Sequence, residues 1–318
     1  MVSLAEKNAQ AAPKYENPVC VVVGGTSGIG RGMVQAFNRH TKGRGTIVIV
    51  GRNEDAAKEI FEHLRKETPE TLGKYDFVQC DISVMDNAHK SAAEVLQKYP
   101  KINFLCISAG FITTAARNET VDGIDKQLAV HYYGRWVFVN DLLPALYKAQ
   151  SQGEDAKVMS IMGPGKGGAI DDDYGLKKSF TVTRAALAPP TYNDLMCEEF
   201  STRHPKLVFI HAYPGFVKTN ILNVAEEQYL RMMVYLLPLF FWWTVTIDQC
   251  GEFLWNGYYR CTAGPEAKNK CTTGTNAYRI GSKGEDIGMK NYHGTKEQRA
   301  ELWEHTIKET RSTVAVPQ

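Results

Sequence analysis

The chain has 318 residues, enough for one large α/β domain with extensions and for a sizeable core. Its 37 basic and 35 acidic residues leave a formal net charge of +2, so it carries no basic footprint for nucleic acid. Seven cysteines stand singly, with no Cys-x-x-Cys pair and no metal-like histidine spacing. No metal site is expected, and thiols set in apolar strands point to a reducing compartment, read here as cytoplasmic.

Residues 1–17 are polar, lack the apolar run of a leader and are expected to form a flexible arm; residues 18–318 are expected to form one domain. The first buried strand is expected at Val19–Val23, followed by the turn Gly24-Gly25-Thr26-Ser27-Gly28-Ile29-Gly30 and a helix carrying Met33, Val34 and Phe37 at helical spacing. Gly24, Gly28 and Gly30 meet three needs of a dinucleotide site. These are a positive-φ turn, backbone close to a pyrophosphate, and a helix N-terminus whose free N–H groups face the phosphates. A second strand, Thr46–Val50, ends at Gly51-Arg52. A carboxylate there would bond a ribose 2′-hydroxyl, whereas the guanidinium of Arg52 suits a 2′-phosphate, which favours NADP(H) over NAD(H); Glu54 and Asp55 nearby keep a surface role for Arg52 open.

A helix over 56–67 leads to a third strand, Phe77–Cys80, and to Asp81-Ile82, where the aspartate either bonds an adenine amino group or caps the next helix. The fourth strand, Ile102–Ile107, ends in the small residues Ser108-Ala109-Gly110. A long core helix over 121–149 bears His131, Tyr132 and Tyr133, and the fifth strand, Lys157–Met162, empties into Gly163-Pro164-Gly165-Lys166-Gly167-Gly168. Pro189-Pro190 are expected to precede a helix over 191–203. A sixth strand, Leu207–Ala212, leads to Tyr213-Pro214-Gly215-Phe216-Val217-Lys218-Thr219. A helix over 248–261, a short strand over 276–280 and a terminal amphipathic helix over 295–311 complete the chain. Strands alternating with helices imply a single Rossmann-type, doubly wound parallel sheet with helices on both faces. The uncharged segment 232–247 is broken by Pro238 and is too short for the roughly 18–20 apolar residues of a membrane span. Leu237, Leu239, Phe240, Phe241, Trp242 and Trp243 are expected to form an apolar lid, over about 222–247, on a bulky apolar ligand; a homodimer contact or a membrane-surface contact would use the same side chains.

Taken together, Val23-Gly24-x-x-x-Gly28-x-Gly30, Asp81-Ile82, Ser108-Ala109-Gly110 and Pro214-Gly215-x-Val217-x-Thr219 resemble the short-chain dehydrogenase/reductase family over about 19–310. Glu301-Leu302-Trp303 and the long gap after the fifth strand resemble its retinol-dehydrogenase-like branch. The resemblance implies cofactor contacts at Gly24, Thr26, Ser27, Gly28, Ile29, Gly30, Arg52, Asp81, Ile82, Ala109, Gly110, Pro214, Gly215, Val217 and Thr219, and an apolar alcohol or carbonyl as substrate.

The catalytic positions depart from that pattern. The family uses a Ser and a Tyr on the substrate oxygen, a Lys separated from that Tyr by three residues, and an Asn that anchors a relay water. Here the Asn position carries His131 and the Ser position Gly163. Tyr174 and Lys178 offer an apparent pair, but counting back from the sixth strand puts the Tyr and Lys positions near Ala186 and Pro190. His131, Tyr174 and Lys178 are the candidate catalytic residues, with His131 expected to titrate near neutrality and Tyr192 or Tyr132 as further acids. The leading expectation is an NADP(H)-dependent oxidoreductase with a non-standard site, acting on a large polyketide- or terpenoid-like metabolite. A redox-silent cyclase, isomerase or lyase on the same scaffold is the alternative. An NADP(H)-responsive binding protein is the third.

Overall fold

The computed structural model describes residues 2–69, 73–221, 227–232, 244–263 and 276–314. Its strands are β1 (Val19–Val23), β2 (Thr46–Gly51), β3 (Lys74–Gln79), β4 (Phe104–Ile107), β5 (Lys157–Ile161), β6 (Val208–Ala212) and β7 (Ala277–Ile280). They form one parallel sheet in the order β3-β2-β1-β4-β5-β6-β7. The order reverses between β1 and β4, and an open α/β sheet binds ligands beyond the strand ends at such a switch.

The helices are α1 (Leu4–Ala11), α2 (Gly28–Thr41), α3 (Glu54–Glu67), α4 (Met85–Lys98), α5 (Lys126–Leu128), α6 (Gly134–Ser151), α7 (Val182–Arg203), α8 (Gln228–Met232), α9 (Ile247–Arg260) and α10 (Lys296–Thr310). Side chains alternate across the strands, so two cores form. Cys20, Val22, Ile47, Ile49, Phe104 and Cys106 face α2, α3 and α9, while Val21, Val23, Val48, Leu105 and Ile107 face α4, α6, α7 and α10. The α2–α9 contact is close because both helices present glycine: a Cβ on Gly32 would stand 2.5 Å from the Ile247 carbonyl oxygen, and one on Gly251 would stand 2.7 Å from the Gly32 oxygen. Trp255 donates to the Met33 carbonyl at 2.9 Å and fixes the register of the pair. The N-terminus of α2 is thereby held rigidly at the switch.

Three expectations need correction. Part of the N-terminal arm is ordered: α1 opens with a capping box on Ser3, and buried Asn8 bonds the carbonyl and carboxylate of Glu252, both at 2.8 Å. The long helix over 121–149 starts only at Lys126, carries a π-helical turn at Ala129–Tyr133 and runs to Ser151. The helix expected to start behind Pro189-Pro190 begins nine residues earlier than 191, capped by Thr181, and encloses both prolines. Within the expected lid, residues 222–226 and 233–243 lie outside the described residues, as does Cys271. The other six cysteines are buried and stand outside any disulfide among the described residues. Among the described residues no helix is long and apolar enough to cross a membrane.

Candidate active site

The cradle at the switch is built from backbone. Gly24 has φ +86° and donates to the Val50 carbonyl at 2.8 Å; a Cβ there would meet the Ala109 nitrogen at 2.5 Å. Ser108 and Ala109 both donate to the Val23 carbonyl, at 2.8 and 3.1 Å, which locks the end of β4 against the turn. A Cβ on Gly30 would stand 2.2 Å from the Gly24 oxygen, so only glycine lets α2 pack this tightly on the loop. Gly28, at φ +52°, opens α2, and Ser27 precedes it in extended conformation without a capping bond of its own. The first-turn N–H groups are left for an external acceptor, and the helix dipole favours an anion there. Thr26 packs against Gly51, with its Cγ2 3.1 Å from where a Cβ on Gly51 would sit; Ile29 packs partly into the core.

Two further segments converge on this cradle. The chain leaving β6 turns at Gly215, φ +76°, pairs Val217 with Val245, and brings Thr219 to within 3.4 Å of the Cβ direction of Gly28. Pro214 precedes that turn, and its carbonyl accepts from the Cys250 thiol at 3.6 Å. On the other side, Arg52 and Asp81 share an open cleft of about 500 Å³ with Gln79, Asn87, Lys90 and Ser91. Asp81 caps the turn after β3, accepting from the Ser83 nitrogen at 3.0 Å and its hydroxyl at 2.7 Å; Ile82 is buried, closing on Gly134. A nicotinamide dinucleotide fits these residues: the glycine backbone and α2 suit its pyrophosphate, and Arg52 suits a 2′-phosphate.

Beyond the cradle lies a buried polar network. Arg135, on α6, donates to the Ser160 hydroxyl and the Ile161 carbonyl at 2.8 Å each, and to the Ala109 carbonyl at 2.5 Å. Burial pushes this guanidinium down to about 9, still above neutrality, so it remains a cation. Ser160 donates to Asn193 at 2.6 Å, and Asn193 in turn donates to the carbonyls of His131 at 2.9 Å and Pro189 at 2.8 Å. The main-chain carbonyl of His131 is thus bonded by a side-chain amide of α7.

His131 is corrected from the expectation of a group titrating near neutrality. Burial, then the Arg135 guanidinium, holds it at about 3, and its Nε2 accepts the Phe111 N–H at 3.2 Å. It is a neutral ring braced against Gly110-Phe111, with no proton to give from Nε2. Tyr174 and Lys178 are not brought together. The Tyr174 phenol donates to Glu301 on α10 at 2.8 Å, and exposed Lys178 pairs with Asp172 at 3.4 Å. Burial and Glu301 push the Tyr174 phenol up, away from easy ionisation. Tyr132 and Tyr192 are also turned away, bonding Thr306 at 2.7 Å and the Tyr174 carbonyl at 3.1 Å.

The loop after β5 holds what sequence reasoning passed over. Gly163 donates to His211 Nε2 at 3.1 Å; His211 Nδ1 donates to Asp194 at 2.6 Å, and Arg279 bonds the same carboxylate at 2.9 Å. Gly168 and Thr191 tie the far end of the loop to α7. Lys166 lies over the Tyr213 ring, 5.2 Å from its centroid. The Gly-Pro-Gly-Lys-Gly-Gly run is the sequence signal of this loop.

The sheet order and the glycine cradle define a Rossmann-type α/β protein. The family model described as short chain dehydrogenase matches residues 18–187, and the chain belongs to that family. It is 36% identical over 224 residues to Oxidoreductase AN1596 of Emericella nidulans, a match covering 70% of this chain and 65% of that protein. It is 30% identical over 252 residues to Oxidoreductase andH of Emericella variicolor, covering 79% and 72%. Among solved structures it resembles a short-chain dehydrogenase from Sphingobium yanoikuyae in complex with NADPH, with a TM-score of 0.55 at 15% identity, covering 77% of this chain and 86% of that one. It also resembles a 3-ketoacyl-(acyl-carrier-protein) reductase from Brucella melitensis complexed with NADH, with a TM-score of 0.54 at 18% identity, covering 86% and 99%. At these identities the two structures speak for the fold alone.

Proposed function

We propose that the chain is an NADP(H)-dependent oxidoreductase acting on a bulky apolar carbonyl or alcohol with a non-standard proton donor. The observation that carries this reading is the intact cradle, in which Gly24 and Gly30 leave no room for a side chain and the N–H groups at the start of α2 stay open. The start of α2 holds the pyrophosphate, and Arg52 holds the 2′-phosphate, which a carboxylate at that place would repel. When bound, the dinucleotide supplies or accepts the hydride. Ala109 and Gly110 leave room beside the ribose, His131 and Arg135 keep the end of β4 in place, and Pro214 to Thr219 closes the pocket from the β6 side. Support for an apolar substrate comes from Ile112, Leu187 and Phe216, exposed at 39%, 38% and 70%, which follow β4, rise from α7 and follow β6.

The redox-silent alternative draws on one observation, the Asn193 amide that takes the His131 carbonyl. A scaffold whose relay position is closed still orients a substrate for cyclisation or isomerisation. Protein, NADPH deuterated at nicotinamide C4 and a panel of apolar aldehydes and ketones separate the two. Deuterium in the alcohol product is the expected result, and complete conversion of a substrate without nucleotide would leave only the alternative.

A further inference from the structure

We propose that Lys166 is a catalytic residue of this site, binding the carbonyl or carboxylate oxygen of an apolar substrate through its ammonium. The inference rests on the oxidoreductase reading for the reaction but on its own geometry for the site. The side-chain space of residue 163 is already filled: a Cβ built on Gly163 would meet Lys166 Cβ at 3.3 Å and Cγ at 3.5 Å. The lysine stem therefore lies in the direction a side chain at the end of β5 would take. Its head extends over the Tyr213 ring, on the chain leaving β6. Since β5 lies between β4 and β6 in a parallel sheet, this head stands at the same C-terminal end of the strands as the glycine cradle.

The loop that carries Lys166 is fixed at several points, which sets the place of its Cα and Cβ. Lys166 N–H closes a turn onto the Gly163 carbonyl at 3.0 Å, Gly165 supplies φ +72°, and Gly163 is anchored on His211. Gly168 bonds the Leu187 carbonyl at 3.2 Å, and Thr191 bonds Gly168 at 2.8 Å. A Cβ on Gly167 would stand 2.2 Å from the Thr191 hydroxyl, which explains glycine at that step of the loop. Electrostatics point the same way. Lys166 is exposed and makes no ion pair among the described residues, whereas Arg135 is buried and committed to Ser160, Ile161 and Ala109. An ammonium held over an aromatic face donates well to an oxygen carrying negative charge. Leu187 and Phe216, flanking the same edge, suit the apolar remainder of such a molecule.

Octanoate and octanol are the probes, titrated by calorimetry into the full chain. Wild type is expected to bind octanoate about tenfold more tightly than octanol, the size of a charge-assisted hydrogen bond. Lys166→Met is expected to erase that preference while octanol binding and NADPH binding stay unchanged, and Lys166→Arg to keep it. Equal binding of the two probes by wild type, no octanoate binding at all, or a preference that survives Lys166→Met would overturn the inference. Failure of NADPH to bind, with the Lys166-dependent octanoate preference intact, would overturn the cofactor reading and leave this one standing.

Discussion

In the proposed reading Arg52 sets the preference for NADPH over NADH. It is exposed at the end of β2 and makes no ion pair among the described residues, so its guanidinium is available for a phosphate. Arg52→Ala is expected to weaken NADPH binding by about tenfold or more and to leave NADH binding within about twofold, as fits the loss of one charge-assisted contact. Equal losses for both nucleotides would remove Arg52 from the 2′-phosphate. Tyr174 belongs to the fold instead: Tyr174→Phe deletes only the bond to Glu301, costing about 1 kcal/mol in urea unfolding, with NADPH binding unchanged. The three cradle glycines were legible because part of their requirement is local, positive φ at Gly24 and Gly28 and the close approach of Gly30 to Gly24. Tyr174 was not, since its partner lies 127 residues away and local spacing imitates a catalytic pair.

At the scale of elements, the π-helical turn and the prolines of α7 belong together. Pro189 and Pro190 lack N–H groups, so the Ala185 and Ala186 carbonyls lose their α-helical donors, and at the next residue the Leu187 carbonyl accepts from Gly168 of the loop. The amide of Asn193 bonds the Pro189 carbonyl and reaches the π-turn at His131, joining the two distorted segments. Asn193→Ala leaves these carbonyls and Ser160 short of partners, and is expected to destabilise the chain by about 2–4 kcal/mol in urea unfolding; a change under about 0.5 kcal/mol would deny the network a structural role. Sequence reasoning placed the helix start at the prolines because proline favours a first turn. The start is set further upstream, where the Thr181 side chain accepts from the Arg184 N–H. In the same way α1 looked like a loose arm, because its anchor, Glu252, sits at the other end of the chain.

For the molecule as a whole, a single parallel, doubly wound sheet followed from the alternation of strands and helices, and the structure agrees with it. Its pH response follows from buried groups. Burial opposes the charged form of Glu252, yet His40, Asn8 and Arg39 outweigh it and hold the carboxyl at about 2. Burial holds His131 at about 3 and His204 at about 4. All three have folded values below their unfolded ones, so each contributes stability that is complete above the unfolded value and is lost as pH falls. For the histidines that loss begins below about 6.5, and for Glu252 below about 4.5. His89, raised by Asp141, works in the opposite direction but is only partly buried. The urea midpoint is therefore expected to fall steadily between pH 7 and pH 4; a midpoint that rises over that interval would contradict the neutral burial of His131 and His204.

The most direct measurement is equilibrium titration of NADPH, with NADH in parallel, into the full-length chain, followed by nucleotide fluorescence. The account predicts saturable binding at one site per chain, tighter for NADPH than for NADH. Absence of saturable binding by either nucleotide would contradict it.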